Sequence, residues 1–143
     1  MMKEPRAATS HPEDAARTQR LKGVQLMTLP RDAMLLRVFI SEDDRTRGRR
    51  PLYEALVLKA REAHLAGATV LRGPLGFGHS TRLHSTRILD VAERLPLVIE
   101  IVDTEEKIKA FLPTLDAMML GGLVTLEKVQ VLQYGEDVKH EPT

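Results

Sequence analysis

Apolar and polar positions divide the chain into a patterned middle and two unpatterned ends. Residues 1–30 are rich in Ala, Pro, Arg, Glu and Thr and hold no sustained periodicity. Such a segment buries too little apolar surface to offset the entropy of ordering, so it is expected to be a disordered tail. Met27, just before the patterned sequence, is a second candidate for the start of translation. Residues 136–143 are expected to fray as well, which leaves 31–135 as one folded domain.

Inside that domain the pattern predicts strand, helix, strand, strand, helix, strand. Met34–Ile40 is a short apolar run with β-branched and aromatic content, and reads as a strand. Pro51 suits a first helical position, and Leu52, Ala55, Leu56, Lys59, Ala60 and Ala63 then recur at helical spacing until Gly67. Ala68–Arg72 and Leu97–Val102 are the next two strands. Asp103 and Glu106 have the spacing of a capping box, and Ile108, Phe111, Leu112, Leu115, Met118 and Met119 form one stripe. Pro113 is expected to kink or split this helix, Gly121 and Gly122 to end it, and Leu123–Tyr134 to be the last strand. The order βαββαβ is the ferredoxin-like motif: an α+β sandwich with two helices on one face of a four-stranded antiparallel sheet.

Two helices cannot cover two faces, yet both faces of the central strands are largely apolar. Leu36, Val38 and Ile40 alternate with Leu35, Arg37 and Phe39; Leu97, Ile99 and Ile101 alternate with Val98, Glu100 and Val102. A strand apolar on both sides is normally covered on both. Other copies of the chain are therefore expected to bury the second face, with Arg37 and Glu100 paired upon it.

Composition narrows the function classes. The chain has 143 residues, enough for one core, and 43% of them are hydrophobic but only 3% aromatic. With 21 basic against 20 acidic residues, it lacks the basic excess and stacking platforms of a nucleic-acid binder. The absence of cysteine excludes disulfides, thiolate catalysis and Cys-based zinc sites. No apolar run is long enough to span a bilayer and no secretory signal is present, so the expected compartment is the cytoplasm.

The richest chemistry lies in Leu71–Ile88, LRGPLGFGHSTRLHSTRI. Gly73, Gly76 and Gly78, with Phe77 between the last two, allow positive φ and close approach of backbone N–H groups. Arg72, Arg82 and Arg87 supply positive charge, and Ser80 and His84 supply orienting hydrogen bonds. Together these suit a phosphate or carboxylate, and a connection this long between two strands is often functional. Leu83, Ile88, Val91 and Leu95 predict a short helix within it. The glycine spacing is not a dinucleotide fingerprint. His79 and His84, five apart, share neither a helix face nor a strand face and have no acid beside them for a triad. Ser41–Arg50, SEDDRTRGRR, reads as a solvated turn or as the charged rim of a cleft.

The segments LLRVFISEDDR, ATVLRG, GFG, RLHSTRI, VIEIVDTEEKI and GLVTLEKVQVLQY closely resemble the family called domain of unknown function 190, over roughly residues 34–134. That resemblance implies a PII-like fold that assembles as a homotrimer with sheets turned inward. It also implies a ligand such as AMP, ADP or ATP in clefts between subunits. Gly73–Arg87 would then be the T-loop and its base, and Gly121–Glu127 would lie near the adjoining loop. The implied role is regulatory rather than enzymatic, acting on a transporter or enzyme. Two departures stand out: Ser41 occupies a position where the family often has glycine, and the loop has no counterpart of the tyrosine uridylylated in PII signalling proteins. Two alternatives remain. One is a divalent-cation-binding trimer like the copper-tolerance relatives of PII, using His79, His84, Asp43 or Asp44. The other is a small enzyme on the same fold, for which no acid–base pair stands out.

Overall fold

A computed structural model describes residues 29–78, 84–85, 95–136 and 138–143, the pair 84–85 by its backbone. Along the chain come β1 (Asp32–Ser41), α1 (Leu52–Glu62), β2 (Thr69–Arg72), β3 (Leu75–Gly76) and β4 (His84–Ser85). There follow β5 (Pro96–Asp103), α2 (Glu105–Met118), β6 (Leu123–Gln130), β7 (Gln133–Tyr134) and β8 (Val138–Lys139). Strands β1, β2, β5 and β6 form one antiparallel sheet in the order β2-β5-β1-β6, the expected ferredoxin-like arrangement. The small pairs β3–β4 and β7–β8 are additions to it.

Both helices lie on one face. Leu36, Val38, Leu97, Ile99 and Ile101 of the sheet meet Leu52, Leu56 and Ala60 of α1 and Ile108, Phe111 and Leu115 of α2. Leu36, Ile99 and Ile108 are fully enclosed, so the centre is aliphatic, as the scarcity of aromatics requires. Helix α1 buries Leu52, Ala55, Leu56 and Ala60, whereas Lys59 and Ala63 of the expected stripe face solvent.

Several boundaries differ from expectation for identifiable reasons. Pro51 caps α1 rather than opening it, with extended backbone at ψ 127°. The helix ends at Glu62, and His64, at φ 56°, makes the left-handed turn expected of Gly67. Thr104, not Asp103, caps α2: its Oγ1 accepts the Lys107 N–H at 3.2 Å. Asp103 is buried instead, its carboxylate accepting the Ala66 N–H at 2.8 Å and the Thr104 N–H at 2.7 Å. It thereby ties the α1–β2 connection to the end of β5. Pro113 does not split α2, which runs through it with the ring on the exposed side. Strand β6 ends at Gln130 with one further bond of the same ladder, the Val131 N–H to the Arg31 carbonyl at 2.7 Å, after which Gln133 and Tyr134 pair with β8 instead of β1.

The stretch 136–143, expected to be a tail, carries β8, and His140 Nε2 lies 2.9 Å from the Leu29 carbonyl oxygen. Most of the expected N-terminal tail, residues 1–28, lies outside the described residues. Of the expected helix over 83–95, only His84–Ser85, which form strand β4 because they pair with Leu75–Gly76, and Leu95, which is buried, lie within them.

Gly122 closes the turn from α2 into β6 at φ +100°. A Cβ there would sit 2.6 Å from the Phe39 carbonyl oxygen and 2.9 Å from Met119 Cε. Gly122→Ala is therefore expected to lower stability by about 1–3 kcal/mol, read as a reduced denaturation midpoint at unchanged m-value.

Candidate functional site

Antiparallel pairing brings three connections to one end of the sheet. Ser41 faces Pro96, and Arg72 faces Leu97, so β1 and β2 end where β5 begins. The Glu42 N–H donates to the Leu95 carbonyl at 2.9 Å, and the Gly73 N–H to the Pro96 carbonyl at 2.8 Å. The connection from β2 to β5 thus leaves the sheet beside the turn that follows β1.

That connection has a shaped neck. Leu75 pairs with Ser85 and Gly76 with His84, making a two-residue ribbon. Gly73 and Gly76 do not use positive φ, contrary to expectation. They are small because Pro96 lies against them: a Cβ would meet its Cγ at 3.0 Å from Gly73 and 3.1 Å from Gly76. Gly73 also gives its N–H to Pro96 and so does not offer it to a ligand. Gly78 has nothing near its would-be Cβ. Phe77, between Gly76 and Gly78, is 71% exposed, and Leu75 is 58% exposed.

Arg72 sits at the end of β2 with its side chain 60% exposed, but its Nη2 is hydrogen-bonded to Oε1 of Glu42. The Glu42 side chain is only 17% exposed, and its Oε2 is buried without a hydrogen-bond partner among the described residues. Sequence reasoning missed both Glu42 and Pro96. Glu42 was hidden among the alternating charges of the turn, and Pro96 among the strand residues. Ser80, Arg82 and Arg87 lie outside the described residues, as do His79 and the side chain of His84. The structure therefore brings together Arg72, Gly73, Gly76 and the His84 backbone, with Phe77 and Gly78 at the rim.

The turn 41–50 is held by its own groups. Ser41 donates its N–H to Asp44 Oδ2 at 2.8 Å and its hydroxyl to Asp43 Oδ1 at 2.6 Å. The Thr46 N–H donates to the Arg50 carbonyl at 2.9 Å. Arg45, Arg47, Arg49 and Arg50 are left exposed around it. Among the described residues no three of His, Asp or Glu converge as metal ligands. No described helix is long and apolar enough to cross a membrane.

The sheet face away from the helices is organised in cross-strand rows. Leu71, Val98, Phe39 and Leu123 form an apolar row, in which Leu71 is 47% and Leu123 56% exposed. The next row, Thr69, Glu100, Arg37 and Thr125, is polar. Arg37 Nε donates to Glu100 Oε1 at 2.9 Å and Nη1 to Glu127 Oε2 at 3.1 Å. The hydrogen bond to Glu100 leads the causes that raise the Arg37 pKa above its ordinary value. The expected Arg37–Glu100 pair thus exists within one chain. Further along, Leu35 and Ala33 are buried, and the β7–β8 hairpin stands over that end, Tyr134 Oη donating to the Ala66 carbonyl at 2.9 Å. A hollow of about 650 Å³ runs between the hairpin and Thr69, Glu100, Val102 and Val129.

Residues 33–131 match the family model DUF190, described as an uncharacterized ACR. The chain belongs to the DUF190 family. Among its relatives are two UPF0166 proteins of Aquifex aeolicus. One is 42% identical over 98 residues, covering 68% of this chain and 91% of the relative. The other is 32% identical, covering 68% and 95%. A UPF0166 protein of Methanocaldococcus jannaschii is 29% identical, covering 69% and 91%. A solved PII-like nitrogen regulatory protein of Thiomonas intermedia, bound to ADP, AMP and bicarbonate, superposes with a TM-score of 0.50 at 16% identity. The match covers 70% of this chain and 88% of that one. This DUF190 chain therefore has the PII-like fold expected of it.

The two kinds of glycine in the loop separate experimentally. Gly73→Val must push the Pro96 ring aside and is expected to cost about 1–3 kcal/mol. Gly78→Ala, with open space around it, is expected to stay within about 0.5 kcal/mol of the parent in the same urea titration.

Proposed function

We propose that the protein is a regulatory binder of an anionic small molecule, an adenine nucleotide, which it senses through the connection between β2 and β5. The observation that carries this reading is that arginine-bearing connection, narrowed to a ribbon at its neck, on a fold shared with a protein solved with ADP, AMP and bicarbonate. Arg72 stands at its base, His84 belongs to the neck, and the sequence places Ser80 and Arg82 between the two strands of the neck and Arg87 just after them. Guanidinium groups supply charge-assisted hydrogen bonds to phosphate oxygens. Binding itself is the activity: ligand orders the loop, and the ordered loop presents a different surface to a target transporter or enzyme.

The reading includes self-assembly. The exposed row of Leu71, Val98, Phe39 and Leu123 lies on the face that lacks helices, and further copies of the chain, three in all, would cover it. The polar row centred on Arg37 would then be enclosed with its charges already paired. Nucleotide would bind in the clefts that this assembly forms beside the loop.

Calorimetry with AMP, ADP and ATP on the assembled protein tests the ligand. Saturable heat supports the reading, and none at millimolar nucleotide overturns it. Arg82→Ala is expected to weaken binding by about 1.5–3 kcal/mol. Sedimentation velocity tests the assembly. Wild type is expected as a trimer, and Arg37→Glu, which gathers three carboxylates on one patch of the face, as a monomer. A wild-type monomer at micromolar concentration rejects the assembly.

A further inference from the structure

We infer that Glu42 is a built-in competitor for the anion site: its carboxylate occupies Arg72, and an anion that binds at the base of the loop must displace it. The inference rests on the anion-binding reading above and assigns a residue that sets its affinity.

A carboxylate and a phosphate offer a guanidinium the same kind of acceptor. Glu42 reaches Arg72 across the start of β5, since β5 lies between β1 and β2. The pair is unequal in exposure. Arg72, at 60%, faces the solvent from which a ligand arrives, whereas Glu42, at 17%, lies behind it. The pair is also half-made. Among the described residues only Oε1 is engaged, and Oε2 is buried with no hydrogen-bond partner. A bidentate grip would satisfy both oxygens; this one leaves an unsatisfied buried acceptor, which favours release.

Displacement needs only the side chain to move. The Glu42 backbone is fixed by its N–H to the Leu95 carbonyl at 2.9 Å, and Ser41 before it is tied to Asp43 and Asp44. An ion pair with so exposed a partner contributes little, so a phosphate group can outbid it. Glu42 therefore lowers the affinity for anions in two ways, by occupying Arg72 and by repelling negative charge beside it.

The test is calorimetry of the full chain with ADP and, separately, with inorganic tripolyphosphate. It compares wild type, Glu42→Gln, Arg72→Gln and the double variant, with Glu42→Ala as a second removal of the charge. Thermal melts confirm that each is folded. Both Glu42 variants are expected to bind roughly three- to tenfold tighter than wild type. Arg72→Gln is expected to bind more weakly, and the gain from Glu42→Gln to vanish in its background. If wild type binds and the Glu42 variants are equal or weaker, the competitor role is overturned and the anion-binding reading stands. If the gain persists undiminished without Arg72, Glu42 acts by general repulsion and the role is likewise overturned. If neither wild type nor the Glu42 variants bind either probe, the anion-binding reading falls, and the inference with it.

Discussion

The register between β1 and β5 is the constraint from which the rest of the molecule follows. Arg37 lies opposite Glu100, with Val38 opposite Ile99 on the other face. A slip of one residue would turn Arg37 into the aliphatic centre beside Ile99 and turn Leu36 and Val38 out of it. Burying that charge without its partners would be far costlier than any packing the slip could recover. The same register sets Ser41 against Pro96, and so brings Glu42 within reach of Arg72 across the start of β5. Core, open face and loop base are thus three consequences of one pairing.

The open face shows what the chain does with the apolar surface that its helices cannot reach. At the end near Leu35 and Ala33 it supplies its own cover, the β7–β8 hairpin, pinned by Tyr134 to Ala66 and by His140 to Leu29. At the other end the row Leu71, Val98, Phe39 and Leu123 carries no such cover among the described residues. Between them stands the polar row, where Arg37 answers two carboxylates. Such a row suits a face that is enclosed by an identical partner. It resists any approach that does not keep these charges paired, whereas the apolar row alone would accept many.

Much of the fold was legible in the sequence because it rests on period. Strands alternating every second residue and helices with stripes every third or fourth are written locally, and the βαββαβ order follows from them. The misreadings come from contacts between distant residues. Gly67 looked like a helix stop, but the hydrogen bonds after Glu62 were completed around His64. Asp103 looked like a cap, but the chain passes Ala66 close enough to claim its carboxylate. The apolar alternation of Leu123–Tyr134 read as one strand, because nothing local reports that Gln133 and Tyr134 leave β1 to pair with Val138–Lys139. The site was legible by composition only. Gly73 and Gly76 announced a constrained backbone, but their cause is a proline 20 or more residues away. Arg72 announced a charge, but its partner lies 30 residues earlier.

These distant contacts narrow where a ligand can be held. Gly73 and Gly76 at the neck are packed against Pro96, and the Gly73 N–H is already bonded to the Pro96 carbonyl, so it is not offered to a ligand. On the proposed reading an anion would be gripped on either side of the neck: below by Arg72, in competition with Glu42, and above by Arg82 and the hydroxyls past Phe77. On the same reading, filling the base would release the Glu42 side chain from Arg72 beside the turn that carries Arg45, Arg47, Arg49 and Arg50. By linkage, whatever partner engages that turn and holds Glu42 away from Arg72 must strengthen ligand binding by the same factor that the ligand strengthens the partner's.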